Sequence, residues 1–286
     1  MLTVRAPAKI NLSLEVLGRR TDGYHELISV MQTVTLWDTL QFKPHSAVTM
    51  TCSDAQLGVA GNLVMGAIRL VKNKYHVAAG CSVHLEKCIP SAAGLGGGSS
   101  DAAATLVSLA RLWNLDMDCA TFIDLAADLG SDVPFFLCSG SALLQGRGER
   151  VTSLPSGGRN WYLLVKPPLR VPASAVFAAL PSSSWTSGSA TAAVAQCIRT
   201  HGEVRFGING LQETVFRLYP EARTCYEMVR SLAPGRTIIS GSGPTIVAAF
   251  STQQEAVHAQ GILPREQLWT HVACDFQPPG WQTPCA

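Results

Sequence analysis

Hydrophobic and polar residues alternate without a break from Thr3 to Val16. Val4, Ala6, Ala8, Ile10, Leu12, Leu14 and Val16 share one face of this period, and Thr3, Arg5, Pro7, Lys9, Asn11, Ser13 and Glu15 share the other. A repeat of two is that of a β-strand, so residues 3–16 are predicted to form a half-buried strand. The segment 18–26 follows as a turn, with Asp22-Gly23 its strongest signal. A second strand is predicted through residues 27–42. Asn62 is placed to cap a helix whose apolar positions Leu63, Ala67, Leu70 and Val71 recur at helical spacing. A strand around residues 83–85 leads to Pro90 and a glycine-serine segment whose second half turns helical. There Leu106, Leu109, Ala110 and Trp113 fall at i, i+3, i+4 and i+7. Another helix, 120–129, is predicted to stop at Gly130.

Composition shifts at residues 152–160, which read as a linker or long turn. The remainder is a mixed unit of strands and helices. Strands are predicted at 161–165, 236–239, 245–250 and 268–276, with helices at 211–219, 221–232 and 254–260. Residues 182–191 read as a mobile loop and the tail from Pro278 as frayed. The chain thus divides into two domains, 1–155 and 156–286.

Composition narrows the function. The chain has 286 residues, 47% of them hydrophobic, enough to bury a core for one or two packed domains. Its formal net charge is +2 and its basic residues are scattered, so charge makes no case for a nucleic acid or a membrane surface as partner. The one adjacent basic pair, Arg19-Arg20, reads as a solvated turn. Nine cysteines, an odd number without CxxC spacing, argue against a disulfide framework or a zinc ribbon and for a reducing, cytoplasmic setting. No uncharged apolar run approaches the roughly 18 residues a membrane span needs.

Candidate chemistry concentrates in Gly94-Leu95-Gly96-Gly97-Gly98-Ser99-Ser100-Asp101. Glycines let the backbone take positive φ and approach a ligand, and the helix that follows offers free N–H groups and a positive dipole end. Together these suit a phosphate. No lysine follows a glycine, so this is not a Walker loop, and the dinucleotide fingerprint would need a glycine at Ser99. Ser99 or Ser100 can cap the helix, contact phosphate or reach a Mg²⁺ ion. Asp101 reads as a carboxylate that favours the helix dipole while facing away from the nucleotide.

Four further groups stand out. Lys9 and Asn11 share a strand face, about 6.8 Å apart along the chain. On geometry alone they read as solvated residues, although a cation and an amide at that spacing could hold a small polar ligand. Asp132, in the segment Gly130-Ser131-Asp132-Val133-Pro134-Phe135-Phe136, is either a turn former or a carboxylate desolvated by the phenylalanines and held ionised by Lys9. Tyr24-His25 could stack on a base, though a histidine in a turn is ordinarily a surface residue. Ser240-Gly241-Ser242-Gly243-Pro244 reads as a tight hairpin or as a wall of the same cleft.

Three of these motifs, in order, resemble the GHMP kinase superfamily. They are Ala6-Pro7-Ala8-Lys9-Ile10-Asn11-Leu12, Pro90 through Asp101, and Ser240 through Thr245. The resemblance implies an α+β, two-domain kinase fold, its N-terminal half like domain 2 of ribosomal protein S5 and its C-terminal half ferredoxin-like. It implies ATP and Mg²⁺, with Pro90, Ser91, Ala92, Ala93, Gly94, Leu95, Gly96, Gly97, Gly98, Ser99 and Ser100 at the nucleotide. Asp132 would be the catalytic base and Lys9 its activating partner. Residues 19–27 and 130–136 are similar to the branch whose acceptor is a cytidine diphosphate sugar alcohol. In that branch Asn11 would contact the sugar alcohol, and Tyr24, His25 and Phe177 the cytosine. The family commonly has a threonine four residues before the aromatic; here that position is Ala173, with Ser174 beside it. The protein is expected to be a monomer or homodimer.

Overall fold

The computed structural model describes residues 1–55, 57–58, 61–138, 140–155, 159–264 and 266–285. The first half holds β1 (Leu2–Arg19), β2 (His25–His45), β3 (Thr49–Cys52), α1 (Leu63–Tyr75), β4 (Gly80–Glu86), α2 (Gly97–Leu112), α3 (Cys119–Leu129), α4 (Phe135–Cys138), β5 (Ser141–Gly146) and β6 (Arg150–Ser153). The second half holds β7 (Trp161–Lys166), α5 (Ala173–Ala178), α6 (Ser189–His201), α7 (Gln212–Leu218), α8 (Pro220–Leu232), β8 (Thr237–Ile239), β9 (Ile246–Phe250), α9 (Gln253–Ile262) and β10 (Trp269–Cys274). Among the described residues, six strands form one sheet, ordered β3-β4-β2-β5-β6 with β1 along β2, and four form another, ordered β10-β7-β9-β8.

The predicted elements form where local pattern and capping agree. The Asn62 side chain accepts from Val64 N at 2.9 Å and starts α1. Asp118 caps α3, and Gly130 ends it. Thr252 and Glu255 complete a capping box on α9.

β1 differs from the half-buried strand its alternation predicts, because both faces are covered from Ala6 to Val16. Its apolar face enters three clusters in turn. Val4 and Ala6 pack with α1 and α2, Ala8, Ile10 and Leu12 pack between the two halves, and Leu14 and Val16 pack with the second half. β-Bulges after Pro7, Asn11 and Val16 bend the strand so that it can follow this path. Its polar face is covered by the glycine-serine loop, the 240–244 turn and α6.

Two segments are more ordered than their composition implies. Residues 182–191 contain a short 3-10 helix at 182–184 and the start of α6 at Ser189, so only a few of them form a loop. The Glu15 carboxylate, buried on β1, accepts from Thr191 N at 2.6 Å and fixes that helix end. The tail is not frayed: it crosses to the first half, where Gln282 Nε2 donates to Arg5 O and Cys285 N donates to Leu137 O, each at 3.0 Å. Hydrogen bonds from a side-chain amide and a backbone N–H of the tail to carbonyls of the first half hold a segment that its residues alone would leave loose.

Candidate active site

The glycine-serine loop joins β4 to α2, and the helix begins earlier than the serines suggest. Gly96 is the N-cap, and Ser100 N–H closes the first intrahelical bond on Gly96 O at 2.9 Å. Ser99 and Ser100 therefore sit inside the first turn and do not cap it. The amides from Gly96 to Ser99 precede that first bond and have no intrahelical partner, which makes a nest for an anion. Two glycines allow the loop to lie against β1 and the 240–244 turn. Gly94 (φ +76) leaves no room for a Cβ beside Ser240 O, and at Gly96 (φ +70) a Cβ would come 2.9 Å from Lys9 Cγ. Both are left-handed positions that also favour glycine on backbone grounds. Ala92, Gly94, Gly96 and Ser99 face a cavity of about 1100 Å³. Pro90, Ser91, Gly97 and Gly98 are not among its lining residues, and Ala93, Leu95 and Ser100 are buried.

Lys9 and Asn11 are not solvated. They are 3% and 0% exposed, because the loop covers their strand face. The gap expected between them is closed: Lys9 Nζ donates to Asn11 Oδ1 at 2.6 Å. Asn11 Nδ2 donates to Ser29 Oγ at 2.8 Å, so the amide is oriented from β2. Lys9 N donates to Leu95 O at 2.9 Å, and Ser240 Oγ donates to Gly94 O at 2.9 Å. The 240–244 segment is thus both readings at once, a hairpin between β8 and β9 and a wall of the cavity through Gly241 and Ser242.

Asp132 stands in the turn between α3 and α4 and brings its carboxylate 3.5 Å from Lys9 Nζ. Its side chain is 33% exposed, less desolvated than its phenylalanine neighbours imply. Phe135 and Phe136 point into the core, and Asp132 lines the cavity. A carboxylate that is open to a ligand and paired with a buried cation can accept a proton from an incoming hydroxyl.

Part of the cavity wall is aromatic, formed by Tyr24, His25 and Phe177. His25 and Phe177 stack with ring centroids 5.3 Å apart and planes 30° apart. Tyr24 is half exposed beside them, with the Arg147 guanidinium carbon 5.0 Å from its ring centroid. Burial, helped by Arg19, pushes the His25 imidazole below its ordinary value. A neutral ring keeps one donor and one acceptor for a base edge. Ala173 and Ser174 both line the wall near Phe177, so Ser174 places a hydroxyl there.

Sequence reasoning missed several residues of this site. Ser29 and Arg147 carry no local motif. Asp101 faces away from the cavity as expected, but it is buried in an ion cluster: its Oδ2 accepts from Lys87 Nζ at 2.8 Å, and Lys87 also donates to Asp38. Only the fold brings these three segments together.

Comparison with known proteins agrees with this geometry. The family model for the GHMP kinases N terminal domain matches residues 62–140, and that for the GHMP kinases C terminal domain matches residues 189–268. A 4-diphosphocytidyl-2-C-methyl-D-erythritol kinase of Dehalococcoides mccartyi is 36% identical over 90% of this chain and 92% of its own length. The enzyme of the same name from Burkholderia multivorans is 37% identical over 91% of this chain and 89% of its own. A crystal structure of 4-(cytidine 5'-diphospho)-2C-methyl-D-erythritol kinase superposes with a TM-score of 0.81 at 32% identity, covering 98% of this chain and 100% of that one. Homoserine kinase from Cytophaga hutchinsonii, at 17% identity and a TM-score of 0.72, shares the fold.

Proposed function

The chain belongs to the GHMP kinase family, and from that premise we propose that it transfers the terminal phosphoryl group of ATP to the 2-hydroxyl of 4-diphosphocytidyl-2-C-methyl-D-erythritol, a step of the non-mevalonate route to isoprenoid precursors. The observation that carries this reading is the meeting of Lys9, Asp132 and the amide nest around one cavity that ends in Tyr24, His25 and Phe177. The nest is suited to the phosphates of ATP, and the aromatic end to a cytosine. The acceptor hydroxyl then lies between the two, at Asp132 and Asn11.

Phosphoryl transfer asks for position and charge stabilisation more than covalent work by the protein. Asp132 takes the proton of the attacking hydroxyl. Lys9, held by Asn11, stabilises the charge that develops beside it. Mg²⁺ fits the oxygen chemistry here: Ser99 lines the cavity, and its hydroxyl is a hard donor of the kind this ion accepts alongside phosphate oxygens. When bound it neutralises charge on the phosphates.

Two variants test the assignment. Asp132→Asn should cut kcat by roughly 10²–10⁴ while ADP still binds, read by single-turnover kinetics and calorimetry; full turnover would remove Asp132 as the base. Tyr24→Ala should raise the acceptor KM about tenfold, since stacking on one base contributes ~1–3 kcal/mol. An unchanged acceptor KM would favour an acceptor without a base, such as those of the homoserine and mevalonate kinases that share this architecture.

A further inference from the structure

Beneath the nest lies a buried ion cluster that takes no part in the chemistry above. Lys87 follows β4, and its side chain is 8% exposed. Its ammonium donates to Asp38 Oδ2 on β2 and to Asp101 Oδ2 on α2. Asp38 is fully buried, and its other oxygen accepts two backbone donors, Cys88 N at 2.6 Å and Ile89 N at 2.8 Å. One carboxylate therefore grips the chain at the three residues that lead into the loop. Asp101 is gripped less completely, because its Oδ1 is buried without a hydrogen-bond partner.

The cluster touches the nest directly. A Cβ on Gly97, the first residue of α2, would lie 3.2 Å from Lys87 Nζ and 3.0 Å from Ile89 Cγ2. The ammonium is thus packed under the helix end whose amides face the cavity. Two carboxylates against one ammonium leave the cluster with a net charge of −1 when both are ionised. A negative charge beneath an anion site opposes the anion, so the arrangement stiffens the nest and weakens its hold on polyphosphate together.

We propose that Lys87 and Asp38 are positioning residues of the nucleotide site, and that Asp101 is the surplus charge that limits its affinity. Asp38 and Lys87 fix the approach to the loop against the first turn of α2, so that the amides are set before nucleotide arrives. Asp101 completes the clamp and, as the second carboxylate, keeps the nest from holding product too tightly. This inference rests on the reading of the loop as the ATP site.

The two carboxylates then have opposite effects, which a merely structural role would not give. The test is calorimetry of ADP with Mg²⁺ at pH 8.5 on wild type, Asp38→Asn and Asp101→Asn, with steady-state kinetics for both substrates. Asp38→Asn should weaken ADP and raise the ATP KM about tenfold, because charge-assisted bonds at the loop entrance are weakened, with the acceptor KM unchanged. Asp101→Asn should tighten ADP roughly threefold, the electrostatic gain of removing one nearby charge. If Asp38→Asn does not fold, Lys87→Arg reads the positioning role by the same rise in ATP KM, its absence overturning that role, and Asp101→Asn reads the charge role. Equal or weaker ADP affinity in folded Asp101→Asn overturns the charge role, and an unchanged ATP KM in Asp38→Asn overturns the positioning role. Failure of the wild type to bind ADP would instead remove the nucleotide assignment of the loop.

Discussion

Asp101 carries a carboxyl in a place with too few donors. Burial, with the neighbouring Asp38 charge, outweighs Lys87 and pushes its carboxyl up to about 7, against an ordinary value of 3.8. Between those two values the folded chain holds a proton that the unfolded chain has released. The stabilisation from that proton is complete below the unfolded value and is lost as pH rises toward 7. Wild type should therefore lose stability relative to Asp101→Asn as pH is raised from about 4 to 7. Urea denaturation of both proteins across that range measures it, and parallel profiles would show that the site does not titrate there. At this scale the sequence is least explicit. The position of Lys9 on a strand face follows from its period, but its burial depends on a loop that begins at Pro90 and on Ser240, both remote in the chain. Asp101 reads only as a carboxylate that favours the helix dipole, because nothing near it announces Lys87 or Asp38.

Among the elements, β1 holds the site and the molecule together. Its apolar face enters all three hydrophobic clusters, and its polar face presents Lys9 and Asn11 to the cavity. Leu12 is fully buried in the cluster between the halves. Leu12→Ala should cost ~2–5 kcal/mol, the range for a large-to-small change that leaves a cavity. A denaturant midpoint shift at unchanged slope measures it; a loss below ~1 kcal/mol would mean that the halves repack around the gap. Most elements were legible because their periods and caps agree locally, as Asn62 and Thr252 show. The segment 182–191 and the tail were not, because their order comes from Glu15, Arg5 and Leu137 on distant elements. The loop differs from its reading in one detail: Ser99 and Ser100 could each have capped the helix, yet Gly96 is the N-cap and both serines lie inside the first turn.

The whole molecule gathers two chemically different sets of groups around one cavity that Asp132 also lines. Gly94, Gly96 and Ser99 belong to the amide nest, and His25 and Phe177 are stacked aromatic rings. The gathering of remote segments was legible in the order of three motifs, while the aromatic residues followed only from the similarity of residues 19–27 to one branch of the family. The distances were not visible, because they depend on how the two sheets pack across Tyr162, Val194 and Val247. Among the described residues no helix is long and apolar enough to cross a membrane.

The direct test of the account is ATP consumption by the purified protein against a panel of alcohols that includes 4-diphosphocytidyl-2-C-methyl-D-erythritol, homoserine and mevalonate. ADP release should depend on the cytidine diphosphate sugar alcohol, be lost in Asp132→Asn, and accompany a product phosphorylated at the 2-hydroxyl. ADP release driven equally by an alcohol without a base, or unaltered by Asp132→Asn, would contradict it.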